Sequence, residues 1–198
     1  MVVLRVLAAL LLVPMFAACL EDKDSTGPSD PTDSTPTAPA GPFSASSTAF
    51  QPGQRIPKQY TCDGTNKNPV LSFANLPLNA THVALIMEDP DVPNRLAPQR
   101  VVEHWVFWNL PRVNTTIPAD GDAGPVGAKV GRPYRGPCPP DGSGEHRYFF
   151  YASAQTKPLD LADGSNATVL RQALQGNIAA TYQFLGVYSR PCVSPVCN

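Results

Sequence analysis

Proline is the residue that most constrains how this chain can fold. The chain carries 23 prolines among its 198 residues, which is about 12% against about 5% in average usage. Each proline inside a helix removes a backbone hydrogen bond and costs about 3 kcal/mol or more. Only six of them precede residue 43, so the body of the chain must accommodate the other 17. This content excludes a helical bundle and favours strands joined by loops.

The charge balance narrows the class of partner. Lys and Arg total 15 while Asp and Glu total 16, which gives a formal net charge of -1. A nucleic-acid-binding domain ordinarily carries a basic stripe or patch, so we expect no nucleic-acid partner. With 42% hydrophobic residues, the chain can bury a core, which a wholly disordered chain cannot do.

Residues 1–18 have the parts of an export signal. The positive charge of Arg5 is followed by an uncharged run, Val6–Ala18, that ends in small residues, as in a secretory signal. This run is shorter than the about 20 residues that a spanning helix needs. Phe16-Ala17-Ala18-Cys19 resembles a bacterial lipobox, with phenylalanine where leucine is commoner. We therefore predict a lipidated Cys19 on an exported, membrane-anchored envelope protein; a plain signal peptide with an incidental cysteine is the alternative.

Residues 19–42 are predicted to form a flexible tether. From Glu21 onward the segment is rich in Asp, Ser, Thr and Pro, has a net charge of -4 and lacks large apolar residues. Such a segment buries too little apolar surface to offset the entropy lost on ordering. Its prolines stiffen it toward the polyproline II conformation. The folded domain is therefore expected to span residues 43–198.

Short apolar runs bounded by turn residues predict that this domain is mainly β. The runs are rich in Val, Tyr, Phe and Trp, which suit a pleated and half-buried surface. Asp63-Gly64, Asp89-Pro90-Asp91 and Pro139-Pro140-Asp141-Gly142 are interpreted as turns between them. The five best strands are Val70–Leu76, His82–Glu88, Val101–Leu110, His146–Ala154 and Tyr182–Tyr188.

One helix is expected near the C-terminus. Ser165 or Asn166 can cap it, and Gly176 is suited to its C-terminal stop. A further helical turn is predicted over residues 177–180. The apolar stripe of the helix is formed by Val169, Leu170, Ala173 and Leu174.

The cysteines after Cys19 suggest disulfides. Four remain, an even number in an exported chain, so two bridges are expected. No Cys-x-x-Cys pair is present, which makes a zinc cluster less favoured. All three connectivities are open. Among them we favour Cys192–Cys197, which would close the C-terminal loop, and Cys62–Cys138, which would join two loops rich in Gly and Pro.

Histidines provide the first candidates for chemistry. The strand period of two places His104 on one face with Val102, Val106 and Trp108. An imidazole among apolar neighbours needs a partner, because unpaired burial costs about 1–3 kcal/mol. A backbone carbonyl or a ligand would each supply that partner.

A second histidine begins another predicted strand. His146 and Tyr148 are two residues apart on the same face, about 7 Å along the strand. An imidazole and a phenol that face one way can donate two hydrogen bonds to an anion.

Two aspartates complete the set of candidates. Asp89 and Asp91 alternate with prolines directly after an apolar strand, so we expect their carboxylates to emerge at a strand end, where binding sites tend to be built. A turn with solvated aspartates is the alternative.

Six short blocks occur in the order of a known family. They are Tyr60-Thr61-Cys62-Asp63-Gly64, Asn68-Pro69, Glu88-Asp89-Pro90-Asp91-Val92-Pro93, His104-Trp105 with Asn109-Leu110-Pro111, Gly136-Pro137-Cys138-Pro139-Pro140 and His146-Arg147-Tyr148. Together they resemble the phosphatidylethanolamine-binding protein family, most closely its bacterial and archaeal Raf-kinase-inhibitor-like branch. The resemblance covers about residues 43–190, essentially the whole predicted domain, and no single block carries it.

The resemblance implies antiparallel β-sheets, a large central one and a smaller one, with one or two short helices. It also implies a small pocket at one end, which in that family binds phosphate, acetate and phospholipid head groups. Matched by motif, the ligand-binding residues would be Asp89, Asp91, His104, His146 and Tyr148, with Pro139 at the rim and Asp63 nearby.

The implied function is non-enzymatic binding of a small anion or phosphorylated ligand, with no cofactor or metal. A carboxylate facing an anion would repel it, so Asp89 and Asp91 are expected to orient the imidazoles from behind. An aspartate next to an imidazole also raises the imidazole pKa and favours a cationic donor.

Two other functions stay open. Relatives in the family inhibit kinases and serine proteases, so a protein partner could bind the loops over residues 136–144. A hydrolase or metal enzyme could use His104 and His146 with the two aspartates, although the spacing of these residues is poor for a metal. The chain ends six residues after Cys192, where eukaryotic members have a helix beside the pocket, so we expect a more open pocket.

Overall fold

Eight strands, one α-helix and a short 3-10 helix (Lys58–Tyr60) make up the domain in the computed structural model, which describes residues 41–119 and 124–192. The elements are β1 (Ser44–Ser46), β2 (Leu71–Ala74), β3 (His82–Val92), β4 (Arg100–Pro111), β5 (Thr116–Ile117), β6 (Lys129–Arg132), β7 (His146–Gln155), α1 (Ala167–Leu174) and β8 (Ile178–Tyr188). A three-stranded sheet has the order β1-β2-β5 and a five-stranded sheet the order β6-β4-β3-β7-β8. The predicted mainly β fold, with a large and a smaller antiparallel sheet, is confirmed.

The five-stranded sheet separates two apolar clusters. Along β3, Val83, Leu85 and Met87 point into the larger cluster, which fills the space against the three-stranded sheet. The alternate residues Ala84 and Ile86 pack into the smaller cluster beneath α1. Because both faces of this strand are buried, its sequence is almost continuously apolar rather than alternating.

Helix α1 begins where its cap was expected. The Asn166 side chain accepts a hydrogen bond from the amide of Val169 at 3.0 Å and caps the first turn. Leu170 and Leu174 are buried against the sheet, whereas Val169 is exposed and lies outside the buried face. Gly176, at a φ of 73°, reverses the chain after the helix, a conformation that glycine adopts without strain.

The helical turn predicted over residues 177–180 is wrong. Strand β8 begins at Ile178, and its first residues pair with the end of β7, Ile178 with Gln155 and Ala180 with Ala154. The amide of Thr156 also donates to the carbonyl of Asn177 at 3.0 Å. Pairing along a neighbouring strand overrides the weak local preference of such a short segment.

The predicted disulfide between Cys62 and Cys138 is confirmed, with an S–S distance of 2.08 Å. It joins the turn before β2 to the loop between β6 and β7, where the amide of Cys62 also donates to the carbonyl of Pro137. Cys197 lies outside the described residues, so the bridge Cys192–Cys197 stays a prediction.

Residues 1–40 also lie outside the described residues, and so do the predicted signal, the lipidated Cys19 and nearly all of the tether. Within residues 41–119 and 124–192, no helix has the length and apolar character needed to cross a membrane.

Candidate functional site

The segment around Pro90 is strand, not the predicted turn. Strand β3 continues through it, with Asp89 opposite Val102 and Val92 opposite Arg100 on β4. A register shift between these two pairs accommodates the proline, which has no N–H to donate to the ladder. The aspartates therefore lie near the end of β3, as predicted, but they are buried rather than solvated: Asp89 is 2% exposed and Asp91 is 1% exposed.

A β-bulge places His104. Met87 lies opposite Trp105 and Glu88 lies opposite Glu103, so His104 is the extra residue on β4. A bulge re-aims the side chain that it carries, and the His104 ring lies 5.1 Å from the ring of Tyr148 on β7.

The face predicted for His104 is therefore wrong. Val106 and Trp108 pack beneath α1, as the alternation predicts, but His104 turns to the opposite side of the sheet with Tyr148. Glu103 takes the side toward the helix, where its carboxylate accepts the amide of Ala167 at 3.1 Å. A strict period of two cannot foresee this, because one inserted residue inverts every position before it.

His146 is fully buried and paired through both ring nitrogens. Its Nδ1 lies 2.8 Å from Oδ2 of Asp89, and its Nε2 lies 3.0 Å from the hydroxyl of Ser143. The only proton of that hydroxyl is donated to the carbonyl of Pro140, at 2.7 Å. Ser143 must then accept from His146, and an ionised carboxylate likewise only accepts. Both neighbours of the ring, the Ser143 hydroxyl and the Asp89 carboxylate, therefore face it as acceptors.

Ser143, His146 and Asp89 are arranged like the Ser–His–Asp triad of hydrolases, but the hydrogen bond between the serine and the histidine has the opposite direction. In such enzymes the serine hydroxyl donates to the imidazole, which then removes its proton. Here Ser143 accepts from His146 and donates to a backbone carbonyl. With its proton committed elsewhere, Ser143 is not activated as a nucleophile in this arrangement.

His104 has a different electrostatic state. Its Nδ1 donates to the carbonyl of Arg135 at 2.6 Å, and within the described part of the chain Nε2 makes no hydrogen bond of standard geometry. Burial lowers the pKa of His104, and the backbone of Arg135, the charge of Asp89 and the backbone of Gly136 offset this only in part. At neutral pH the ring is therefore mainly neutral, with Nε2 as an acceptor.

Tyr148 supplies a neutral hydroxyl next to His104. The residue is fully buried. Burial, followed by the charge of Asp89 and a hydrogen bond to Asp89 that falls outside standard geometry, raises the pKa of its phenol. Among the described residues, its hydroxyl makes no hydrogen bond of standard geometry. A buried hydroxyl without a good partner is unusual, so this atom is the clearest candidate for contact with a ligand.

Asp91 is held by a residue that the sequence analysis did not select. Arg147 donates from its Nε and an Nη to the two carboxylate oxygens, at 2.9 and 2.7 Å, and its amide also donates at 2.9 Å. Burial alone would raise the pKa of Asp91, but these hydrogen bonds outweigh it and lower the pKa. Asp91 therefore shapes the end of the sheet through Arg147, while Asp89 orients an imidazole. Arg147 stands between the two selected residues of the His-Arg-Tyr block, which was the available signal.

The remaining predicted residues lie around this cluster. Pro139 is buried in the loop that follows Cys138. Asp63 accepts from the hydroxyl of Tyr188 at 2.8 Å and from Arg190 at 3.0 Å rather than from an imidazole. Ser143 and the carbonyl of Arg135 were not selected from the sequence, because no local pattern marks a single serine or a backbone carbonyl.

Both buried carboxylates of the cluster have a partner. Asp89 is hydrogen-bonded to His146, and Asp91 is paired with Arg147, as buried carboxylates require. Two polar atoms are left over, Nε2 of His104 and the hydroxyl of Tyr148. Within the described ranges, no three His, Cys, Asp or Glu side chains are grouped as a metal ion would need.

Fold and site together define a two-sheet β-protein with a buried imidazole–carboxylate cluster at one end of its central sheet. The chain belongs to the phosphatidylethanolamine-binding protein family, whose model matches residues 46–189.

Relatives and solved structures agree with this assignment. The chain is 40% identical over 151 residues to a UPF0098 protein of Methanothermobacter thermautotrophicus, covering 72% of this chain and 95% of that protein. It is 37% identical over 155 residues to a UPF0098 protein of Chlamydia muridarum, covering 73% and 97%. The crystal structure of a phosphatidylethanolamine-binding protein homologue from Chlamydia trachomatis superposes with a TM-score of 0.67 at 35% identity, covering 75% of this chain and 98% of that one. YbcL of E. coli shares the fold, with a TM-score of 0.65 at 24% identity over 75% and 99% of the two chains.

Proposed function

We propose that this protein binds a small anion or phosphorylated ligand at the imidazole cluster and does not turn it over. The observation that carries this proposal is the pair of polar atoms left over in an otherwise saturated cluster, Nε2 of His104 and the hydroxyl of Tyr148. Ligand pockets typically fix orientation with a few such placed polar groups. At 5% exposure, His104 is more accessible than Asp89, His146 and Tyr148, so a ligand would approach over its ring.

The two atoms suit an oxyanion. The neutral phenol of Tyr148 donates one hydrogen bond to a phosphate or sulfate oxygen. His104 either accepts from a protonated phosphate oxygen or takes up a proton and donates in turn. A bound anion favours the second state, because a nearby negative charge raises an imidazole pKa.

The reversed direction of the hydrogen bond between Ser143 and His146 supports binding rather than hydrolysis. A serine nucleophile needs an adjacent base that can accept its proton, whereas His146 already carries a proton on the nitrogen that faces Ser143. A fluorophosphonate probe, which labels activated serines, tests this point. We expect no labelling of Ser143, and labelling would contradict the proposal.

We also propose a cellular location for this binding. A lipid on Cys19 and the acidic tether over residues 19–42 would hold the domain at the membrane of the cell envelope. Labelling of the protein by a fatty-acid analogue in cells, lost in Cys19→Ala, is the expected result.

Removing one hydroxyl tests the site. We expect Tyr148→Phe to weaken sulfate binding about tenfold or more, the loss of a hydrogen bond to a charged group. The free energy of unfolding should stay nearly unchanged, because that hydroxyl has no hydrogen bond of standard geometry to lose. Sulfate titration followed by the NMR signals of the histidine rings gives the affinity, and urea unfolding gives the stability.

Tyr151→Phe is the matched control, since this tyrosine lies on the opposite face of the same strand, where α1 contributes Arg171 over its ring. Its sulfate affinity should equal that of the wild type. Equal affinity of Tyr148→Phe and the control, or a His104 signal that does not respond to sulfate, would refute the assignment of the site.

Sulfate binding should strengthen as the pH falls. The pKa of His104 lies below its ordinary value in the free protein, and a bound anion raises it, so binding takes up a proton. Affinity should therefore rise by at most about tenfold per pH unit between the two pKa values and level off below the lower one. Sulfate keeps its charge over pH 5–8, which leaves the protein as the source of the change. Calorimetric titrations across this range measure the slope, and His104→Gln should flatten it. A slope of the opposite sign would contradict the proposal.

A further inference from the structure

A polar cavity lies beyond the edge of the imidazole cluster. It has a volume of about 260 Å³, and Arg55, Lys58, Asp63, Asp141, Tyr188 and Arg190 line it. We call it the basic cleft, because its three cations exceed its two carboxylates. None of these six residues belongs to the imidazole cluster, although Tyr188 is the cross-strand neighbour of His146.

Arg55 is held in place at one wall of the basic cleft. Its guanidinium donates to the hydroxyl of Ser189 at 3.0 Å and to the carbonyl of Ser189 at 2.8 Å. The same group lies 4.4 Å from the centre of the Tyr188 ring, within cation–π range. A β-bridge between Arg55 and Val187 fixes the backbone. Only two of the five N–H groups of a guanidinium are used in these contacts.

The carboxylates of the basic cleft are already engaged. Asp63 accepts from the Tyr188 hydroxyl and from Nε of Arg190, and Asp141 forms an ion pair with another nitrogen of Arg190. These contacts fix Arg190 on both sides and leave several of its N–H groups unused. The acceptors of the cleft are therefore satisfied, whereas donors remain in excess.

Lys58 adds a positive charge without an ion pair in the described part of the chain. Its charge reaches Asp63, whose pKa is lowered chiefly by the Tyr188 hydrogen bond, then by Arg190, and to a smaller extent by Lys58. An ammonium on a flexible stem can turn toward a ligand that enters the cleft.

We propose that the basic cleft binds a phosphate or phosphomonoester group and is an anion site separate from the imidazole cluster. Two pre-positioned guanidinium groups match the planar, bidentate recognition of phosphate oxygens, and the Lys58 ammonium supplies a third contact. The volume holds a phosphate with a small polar substituent but falls below the roughly 300–1,000 Å³ of pockets that bury larger ligands. The ligand is therefore a small phosphorylated molecule rather than an acyl chain.

Titration of the full-length protein with inorganic phosphate and, separately, with glycerol 3-phosphate tests this site. Backbone NMR signals of Gly64 and Ser189 report the basic cleft, and ring signals of His104 report the imidazole cluster. Arg55→Gln/Lys58→Gln should weaken the response at Gly64 and Ser189 about tenfold or more and leave the His104 response unchanged. Lys58→Gln alone removes a side chain that makes no hydrogen bond within residues 41–119 and 124–192, so a partial loss in this variant rules out misfolding as the cause.

The matched control is Lys67→Gln/Lys157→Gln, which removes the same net charge from exposed positions outside the cleft. If both double variants lost affinity equally, the effect would come from overall charge, and the proposal would be overturned. The proposal would also be overturned if saturating phosphate shifted neither the Gly64 signal nor the Ser189 signal. Each site has its own NMR reporters. A change of the His104 response in Tyr148→Phe therefore tests the imidazole cluster and not the basic cleft.

Discussion

Asp89→Asn is expected to lower the free energy of unfolding by about 1.5–3 kcal/mol, the worth of a hydrogen bond to a charged group. His146 is fully buried, and Asp89 is its only charged hydrogen-bond partner in the described ranges. The asparagine keeps the shape and one acceptor oxygen but removes the negative charge. Urea unfolding at neutral pH measures the change.

Glu145→Gln provides the control for this prediction, because it removes one negative charge from the exposed residue just before His146. Its free energy of unfolding should change by less than about 0.5 kcal/mol, as at most exposed positions. A loss below about 1 kcal/mol in Asp89→Asn would contradict the role of Asp89 as the buried partner that holds His146 in place.

Cys62→Ala/Cys138→Ala should cost about 4 kcal/mol of stability. The bridge closes a loop with a sequence separation of 76, and the chain-entropy model gives about 4.5 kcal/mol for a loop of this length. Both half-cystines are exposed, so alanine leaves no cavity and the effect comes from the missing cross-link. Urea unfolding under non-reducing conditions measures it.

A second measurement separates this effect from local damage. The bridge anchors the loop that leads to Ser143, so the doubly substituted protein should also bind sulfate less tightly when it is still folded. Reduction of the wild type should approach the same stability. A loss below about 1 kcal/mol would mean that other contacts already hold the two loops together, and would contradict the cross-link account.

The sequence was most informative where a local pattern has one structural solution. Alternating and continuous apolar runs predicted five strands, and an Asn166 cap with a Gly176 stop predicted the helix. The joint occurrence of six ordered blocks predicted the family, because each block constrains the others. The failures fell on short segments. Residues 177–180 have a weak helical preference that pairing with β7 overrides, and Pro90 is tolerated inside β3 because a register shift removes the need for its missing N–H.

The site was predicted as a set of residues but not as an arrangement. Asp89, His104, His146 and Tyr148 do converge, because the ends of β3, β4 and β7 meet at one end of the sheet. The separate roles of these residues could not be predicted from the sequence. Asp91 is engaged by Arg147, and the imidazole that was expected to be a cationic donor to the ligand is neutral at His104, where burial lowers the pKa.

The sequence by itself determined the strand pattern, the family and the residues that carry the polar chemistry. Each of these depends on neighbours along the chain or on covalent chemistry. Only the tertiary structure decided which atoms of those residues are left for a ligand. A single bulge turns His104 toward Tyr148, and one hydrogen bond from Ser143 to Pro140 sets the protons of His146. Burial and hydrogen-bond direction arise from contacts between distant segments, so no local pattern encodes them.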